Sequence, residues 1–256
     1  MNQRVATVIR EMQEHCRPLN ITEDDFYDQC CEPIPEFPFK ISYDQGISKG
    51  VLLIEGADEV IKVPFSGRYD EDAYGEAMYE YEQQQEALDR GEEIEETKLL
   101  SYPEYEDYFA EFCCAATPSI DTLEMWNYCA LECAIYLEAE KEGLEEYFAR
   151  EYKAGDMNGY PIYVQARAIM IDSDEGSSYR SHSKAQIESA RKTREETQSP
   201  IYETDWIAEF IDCYGAEEFA RLNKFLHKHR LTDFHSGNLG YINGIPVLVD
   251  YSSYKE

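Results

Sequence analysis

Positive charge is what this sequence has least of. Its 256 residues include 23 Lys and Arg against 53 Asp and Glu, a formal net charge of −30. A field of that sign repels nucleic-acid phosphates and anionic membrane surfaces, so neither is an expected partner, whereas a basic protein or a cationic small molecule is favoured. Long apolar runs are missing too: the longest are strand-sized, against the roughly 20 residues that a spanning helix needs. The opening segment MNQRVATVIREMQEHC lacks the apolar stretch of an export signal, and the expected location is the cytoplasm. Metal-ligand order is absent among the eight cysteines, which include the vicinal pairs Cys30-Cys31 and Cys113-Cys114 but no C-x-x-C. Cys129 and Cys133 are one helical turn apart, yet no His/Cys pair follows at zinc spacing. They read as small buried hydrophobes on a helix, and the set as reduced thiols.

A hydrophobic fraction of 43 % supports a globular core, and the periodicities point to an α+β fold. Residues 1–38 read as an N-terminal helix (5–15) and a loop stiffened by Pro33, Pro35 and Pro38. The period then shortens: residues 39–43, 50–54 and 59–64 read as three strands joined by turn-like clusters. Residues 66–118 form an acidic, tyrosine-rich insertion with a helical middle near 76–90. A helix over 122–142 has Ser119 or Asp121 as a cap and Gly143 as its stop. Residues 147–153 and 161–168 follow as two strands around a Gly/Asp/Asn turn at 155–159, which would complete a five-stranded sheet. Residues 172–200 are serine-rich and carry Arg180, Lys184, Arg191, Lys192 and Arg194, as a mobile loop or short exposed helix. Amphipathic helices at 205–213 and 216–229 deliver the chain to Leu231.

The segment from there, LTDFHSGNLGYINGIPVLVDYSSYKE, holds the chemistry. Asp233, His235 and Asn238 precede a hairpin-like stretch that closes on Asp250 after the run 245–249. Phosphoryl transfer asks for a carboxylate near the acceptor hydroxyl and oxygen ligands that hold Mg²⁺ on the phosphates. Asp233, Asn238 and Asp250 have that chemistry. The spacing, with Lys62 on the third strand upstream, resembles the protein-kinase-like fold, nearest to aminoglycoside-phosphotransferase-like and other small bacterial or phage kinase-like proteins. Those carry a histidine two residues after the catalytic aspartate.

The resemblance runs over residues 39–65 and 125–254 and implies two lobes. Residues 39–168 would be an antiparallel N-lobe with the insertion at 66–118. Residues 169–256 would be a reduced helical C-lobe carrying the motif at 231–250. It further implies ATP and Mg²⁺ as cofactors, Asp233 as the catalytic residue and Asn238 and Asp250 as metal ligands. Lys62 would hold phosphate and pair with Glu132, with Glu124 and Glu138 as alternatives on the same helix. Gly46, Ser48 and the amides of residues 47–49 would cover the phosphates. Each residue also has a plainer reading. Lys62 could edge a strand, Asn238 could be a turn former and His235 could bond loop backbone.

Several features depart from that family. No G-x-G-x-x-G loop is present, Leu231-Thr232 replace the usual basic residue before the catalytic aspartate, and no glycine follows Asp250. No activation segment is expected after it, and 69 residues separate Lys62 from Glu132. The expected function is an ATP/Mg²⁺-dependent phosphotransferase acting on a small molecule or a partner-presented side chain. The alternative is a pseudokinase or kinase-like binding module working through its insertion. An acidic interaction or mimic protein is a third reading that leaves the C-terminal motif unused. Gly46-Ile47-Ser48-Lys49-Gly50 matches the nucleophile elbow G-x-S-x-G only on paper, because its expected flanks are both strands.

Overall fold

The computed structural model describes residues 1–18, 21–46, 48–91, 94–111, 127–170, 182–232 and 234–251. Asp233 and Ile47 therefore lie outside the described residues, as do residues 112–126 with Glu124 and the caps expected there. The fold is mixed α+β, and its largest element is a five-stranded antiparallel sheet. The strands β1 (Ile41–Gln45), β2 (Lys49–Ile54) and β3 (Glu59–Pro64) form a meander. Two later strands, β6 (Glu151–Met157) and β7 (Tyr160–Ala166), complete the order β1-β2-β3-β7-β6.

Strand alternation divides this sheet into two faces with different chemistry. Leu52, Ile54, Ile61, Val63, Ile162 and Val164 point to one side, where helix α1 (Gln3–His15) covers them with Val5, Val8, Ile9 and Met12. That i, i+3, i+4, i+7 spacing makes α1 amphipathic, and the Asn2 side chain caps it by accepting from the Arg4 amide at 2.9 Å. Gly50 lies on the same side, directly beneath the Phe26 ring, where an added Cβ would collide with ring carbons. This glycine is a packing requirement. The opposite face carries Lys49, Val51, Lys62 and Gln165, and it faces a cavity and helix α3 (Tyr128–Glu142).

Helix α3 is capped by Asn127, whose side chain accepts from the Ala130 amide at 3.0 Å. It ends at Gly143, whose φ of 65° is the left-handed geometry of a C-terminal cap. The expected strand at 147–153 is displaced. Glu145–Tyr147 is a 3₁₀ turn, and Phe148 bridges in parallel to Leu248. Tyr147 and Phe148 are drawn into a second apolar cluster, so β6 begins later. It also runs on past Gly155 through a bulge, and the turn narrows to Asn158-Gly159, both at positive φ.

That second cluster belongs to helices α4 (Lys184–Thr197), α5 (Thr204–Tyr214) and α6 (Ala216–Lys228). Trp206, Phe210, Phe219, Leu222 and Phe225 fill it. Where the sequence suggested a loop or short helix at 172–200, residues 184–197 form a full helix with a Ser183/Gln186 capping box, while residues 171–181 lie outside the described set. A hairpin of β9 (Leu239–Ile242) and β10 (Ile245–Leu248) turns on Asn243-Gly244, and short β8 (Ile169–Met170) joins its edge.

The tyrosine-rich insertion is a separate small assembly. Strand β4 (Gly67–Tyr69) pairs with β5 (Phe109–Glu111), and between them runs α2 (Glu71–Asp89), which buries no residue. Rings hold it in place: Tyr69 stacks on Tyr105 at 4.2 Å, Tyr74 meets Tyr105 at 5.0 Å and Tyr81 meets Tyr102 at 5.4 Å. Among the described residues no helix is long and apolar enough to cross a membrane.

Gly50→Ala drives a methyl group into the Phe26 ring and is expected to destabilise the fold by about 1–3 kcal/mol in urea unfolding. Combining it with Phe26→Leu should recover part of that loss, and full additivity of the two changes would count against the contact.

Candidate functional site

Lys62 stands in the middle of β3, with its side chain on the face turned toward α3. It is 4 % exposed, and so is no solvated strand-edge lysine. Its Nζ lies 2.7 Å from Glu132 Oε2 and 3.0 Å from Glu151 Oε2. A second lysine that the sequence reading passed over, Lys49 at the start of β2, donates to Glu132 Oε1 at 2.6 Å and to Asp250 Oδ1 at 2.9 Å. Glu132 is fully buried on an otherwise apolar stretch of α3, and each of its oxygens receives one ammonium. Burial alone would raise its pKa. The two lysines outweigh burial and hold Glu132 well below the usual carboxylate range, while their own pKa values stay high despite desolvation.

Glu151 takes the opposite state. Burial, followed by repulsion from Glu132, pushes its pKa well above the ordinary value and favours its protonated form. Its Oε1 is buried with no hydrogen-bond partner among the described residues, where a full charge would be uncompensated. Gln165, its register partner on β7, donates to Glu151 Oε2 at 2.8 Å and to the Val249 carbonyl at 2.7 Å. Val249 in turn donates from its amide to the Asn238 carbonyl at 2.9 Å, and the Tyr251 hydroxyl donates to the Ala149 carbonyl at 2.8 Å. The C-terminal segment is thereby fastened on both sides of Asp250, to β7 through Gln165 and to the residues just before β6 through Ala149. With Glu151 protonated, the two ammoniums balance the carboxylates of Glu132 and Asp250.

A cavity of about 330 Å³ opens beside this network. Gly46, Lys49, Lys62, Gly237 and Asp250 line it, as do Val51, Leu53 and Val60 and residues 166–168. Of the residues singled out from sequence, Lys62, Asp250 and Gly46 therefore meet at one place, and Glu132 stands directly behind. Asn238 is buried and tied to the same segment through Val249. Ser48 is not among the lining residues, and its carbonyl accepts from the Phe65 amide at 2.8 Å. The Gly46 amide donates to the Lys49 carbonyl at 3.0 Å, closing the β1–β2 hairpin, so it is already engaged. His235 accepts from the Gly237 amide through Nδ1 at 3.0 Å, the loop-backbone role of its plainer reading. Asp233 falls outside the described residues.

Other readings of these residues do not gather a site. Cys129 packs with Ala130 and Tyr163 and against Cys133, and burial holds both thiols protonated. Ser48 sits between two strands, which excludes the nucleophile elbow. Lys49, Glu151 and Gln165 were missed because each becomes meaningful only through strand register. A usable signal existed for Lys49, since it shares parity with Val51, which stands directly opposite Lys62. Comparison with protein-family models, with curated proteins and with solved structures finds no match for this chain.

Removing Glu132 leaves two buried ammoniums facing each other. Glu132→Ala is expected to cost about 3–5 kcal/mol of stability by denaturant unfolding. Glu151 keeps its proton when folded and releases it when unfolded. From about pH 4.5 up to its raised folded value it therefore lowers wild-type stability by roughly 1.4 kcal/mol per pH unit. Glu151→Gln has no proton to keep, so its stability relative to wild type should rise between pH 5 and pH 7. A difference that does not change with pH would show that Glu151 is ionised in the folded chain.

Proposed function

We propose that this chain is an ATP- and Mg²⁺-dependent phosphotransferase of the protein-kinase-like fold, acting on the hydroxyl of a small molecule or of a partner-presented side chain. The observation that carries this reading is the buried Lys62–Glu132 pair, which joins the third strand of the meander to the helix behind it, beside a cavity that also holds Asp250. A lysine positioned in this way neutralises phosphate, and the carboxylate behind it keeps the ammonium in place. The cavity volume falls in the range of small-ligand sites. Val51, Leu53 and Val60 supply an apolar wall suited to a flat base. At residues 166–168, the Ala166 and Arg167 amides already donate to the Arg150 and Asp58 carbonyls at 2.9 and 2.8 Å. Base recognition along that edge would fall to the remaining backbone groups.

The donor set fits a hard divalent cation. Asp250 offers a partly exposed carboxylate that already holds an ammonium at 2.9 Å, and Asn238, tied to the same segment through its carbonyl and the Val249 amide, would supply an amide oxygen. Asp250 and Asn238 would hold Mg²⁺, whose chemistry there would be to offset phosphate charge. Asp233 would accept the proton of the acceptor hydroxyl or orient it, Lys62 would fix the phosphates, and Glu132 would fix Lys62. The acidic surface favours a cationic acceptor.

A pseudokinase that works through its insertion is the second reading. It is favoured by the engaged Gly46 amide and by the exposed acidic helix α2, a surface suited to a basic partner.

Calorimetric titration with ATP separates the two. An active site should bind ATP more tightly with Mg²⁺ than without it, and lose at least tenfold in affinity in Lys62→Ala with Mg²⁺ present. Asp233→Asn should abolish turnover with nucleotide affinity nearly intact. Full activity in that variant would remove Asp233 from the mechanism. Absence of binding at millimolar ATP, with partner capture lost on deletion of residues 66–118, would favour the second reading.

A further inference from the structure

Lys49 and Lys62 share Glu132 but differ in what else they hold. Among the described residues Lys62 meets Glu132 and Glu151, both sealed from solvent. Lys49 instead spans from buried Glu132 to Asp250, whose side chain is 34 % exposed and lines the cavity. Both lysines line the cavity, but Lys62 is anchored on two buried acids, whereas Lys49 has one partner inside and one at the mouth.

That arrangement places an ammonium 2.9 Å from the carboxylate proposed to take the metal. An ammonium 2.9 Å from Asp250 weakens the hold of that carboxylate on a second cation, because the two positive charges repel each other across it. Lys49 cannot withdraw far, because β2 fixes its backbone and Glu132 Oε1 holds it at 2.6 Å. A divalent ion entering alone would displace Lys49 from Asp250 and still face its charge. A phosphate group entering beside Lys49 changes this, since it offers the ammonium another acceptor and screens it from the metal.

We infer that Lys49 is an electrostatic latch on Asp250. It holds the carboxylate until phosphate enters, then turns to the phosphate and releases Asp250 to the divalent cation. Metal and phosphate therefore promote each other's binding, by equal factors as linkage requires. The identity of the anion rests on the nucleotide reading above, whereas the competition between Lys49 and metal for Asp250 does not.

The test uses Mn²⁺ alone, with free ion followed by electron paramagnetic resonance and no nucleotide present. Lys49→Gln, which keeps a hydrogen bond to Glu132 but no charge, should bind Mn²⁺ at least tenfold more tightly than wild type. Lys49→Arg, which keeps the charge, should match wild type. Unchanged Mn²⁺ affinity in Lys49→Gln overturns the latch.

Should Lys49→Gln fail to fold, Asp250→Asn tests the other side of the exchange, since it frees Lys49 at a partly exposed position. It should bind ATP in EDTA at least fivefold more tightly than wild type, although it binds Mg·ATP more weakly. Equal or weaker ATP binding in EDTA overturns the latch. The two ideas fail separately. ATP binding by wild type with unchanged Mn²⁺ affinity in Lys49→Gln removes the latch alone. Tightened Mn²⁺ in Lys49→Gln with no ATP binding by wild type removes the nucleotide reading and supports the latch.

Discussion

A carboxylate with no access to water, Glu132, sets the terms for everything around it. Left alone on the apolar flank of α3 it would be prohibitively expensive to ionise, and it is tolerable because each oxygen meets an ammonium from a different strand. That requirement ties together β2, β3 and α3. Through Glu151 and Gln165 it extends to β6, β7 and the C-terminal segment. An ion-pair network of this kind contributes little net stability compared with apolar packing of the same volume. It is intolerant of rearrangement, because any slip strands a buried charge. The register of two strands and the position of one helix are thus specified by one glutamate.

The same network decides where reactive groups can stand. On one face the sheet is closed by α1 and by Phe26 pressed onto Gly50, so that side is pure packing. On the other, the charged residues line a cavity toward which the β9–β10 hairpin returns Asp250. The second apolar cluster, built on Trp206, Phe210 and the α6 aromatics, supports that hairpin through Leu239, Leu248 and Tyr251. Asp250 therefore occupies a junction, rigidly held on its chain neighbours and only partly shielded itself.

The insertion follows different physics. Helix α2 buries nothing, and its attachment consists of tyrosine rings and a two-stranded pairing. Gln84 adds a side-chain clamp, donating to the Lys98 carbonyl at 2.8 Å and accepting from the Leu100 amide at 2.7 Å. Much of the chain's acidity is displayed on such exposed surface, while the cavity is lined by Lys49, Lys62 and Arg167 as well as by Asp44 and Asp250.

Local structure was legible from sequence where its cause is local. The apolar spacing of Val5, Val8, Ile9 and Met12 marks α1, Gly143 marks the end of α3, and Asn243-Gly244 marks the hairpin, since each signal lies within a few residues. The five strands followed from period and turns, although β6 moved because Tyr147 and Phe148 are claimed by a distant cluster. Partner choice for buried charge was not legible in this way. Among the glutamates of one helix, Glu138 pairs outward with Lys141 and Glu132 turns inward, a distinction set by which side of α3 the sheet covers. Lys49 looked like a loop residue until pairing of Val51 with Lys62 put it on the charged face. Glu151 and Gln165 gained meaning only as cross-strand partners. Composition and periodicity determined the elements and the chemical types available. Register and packing, which bring residues 83 and 201 positions apart into contact at Lys49, decided which of those charges meet.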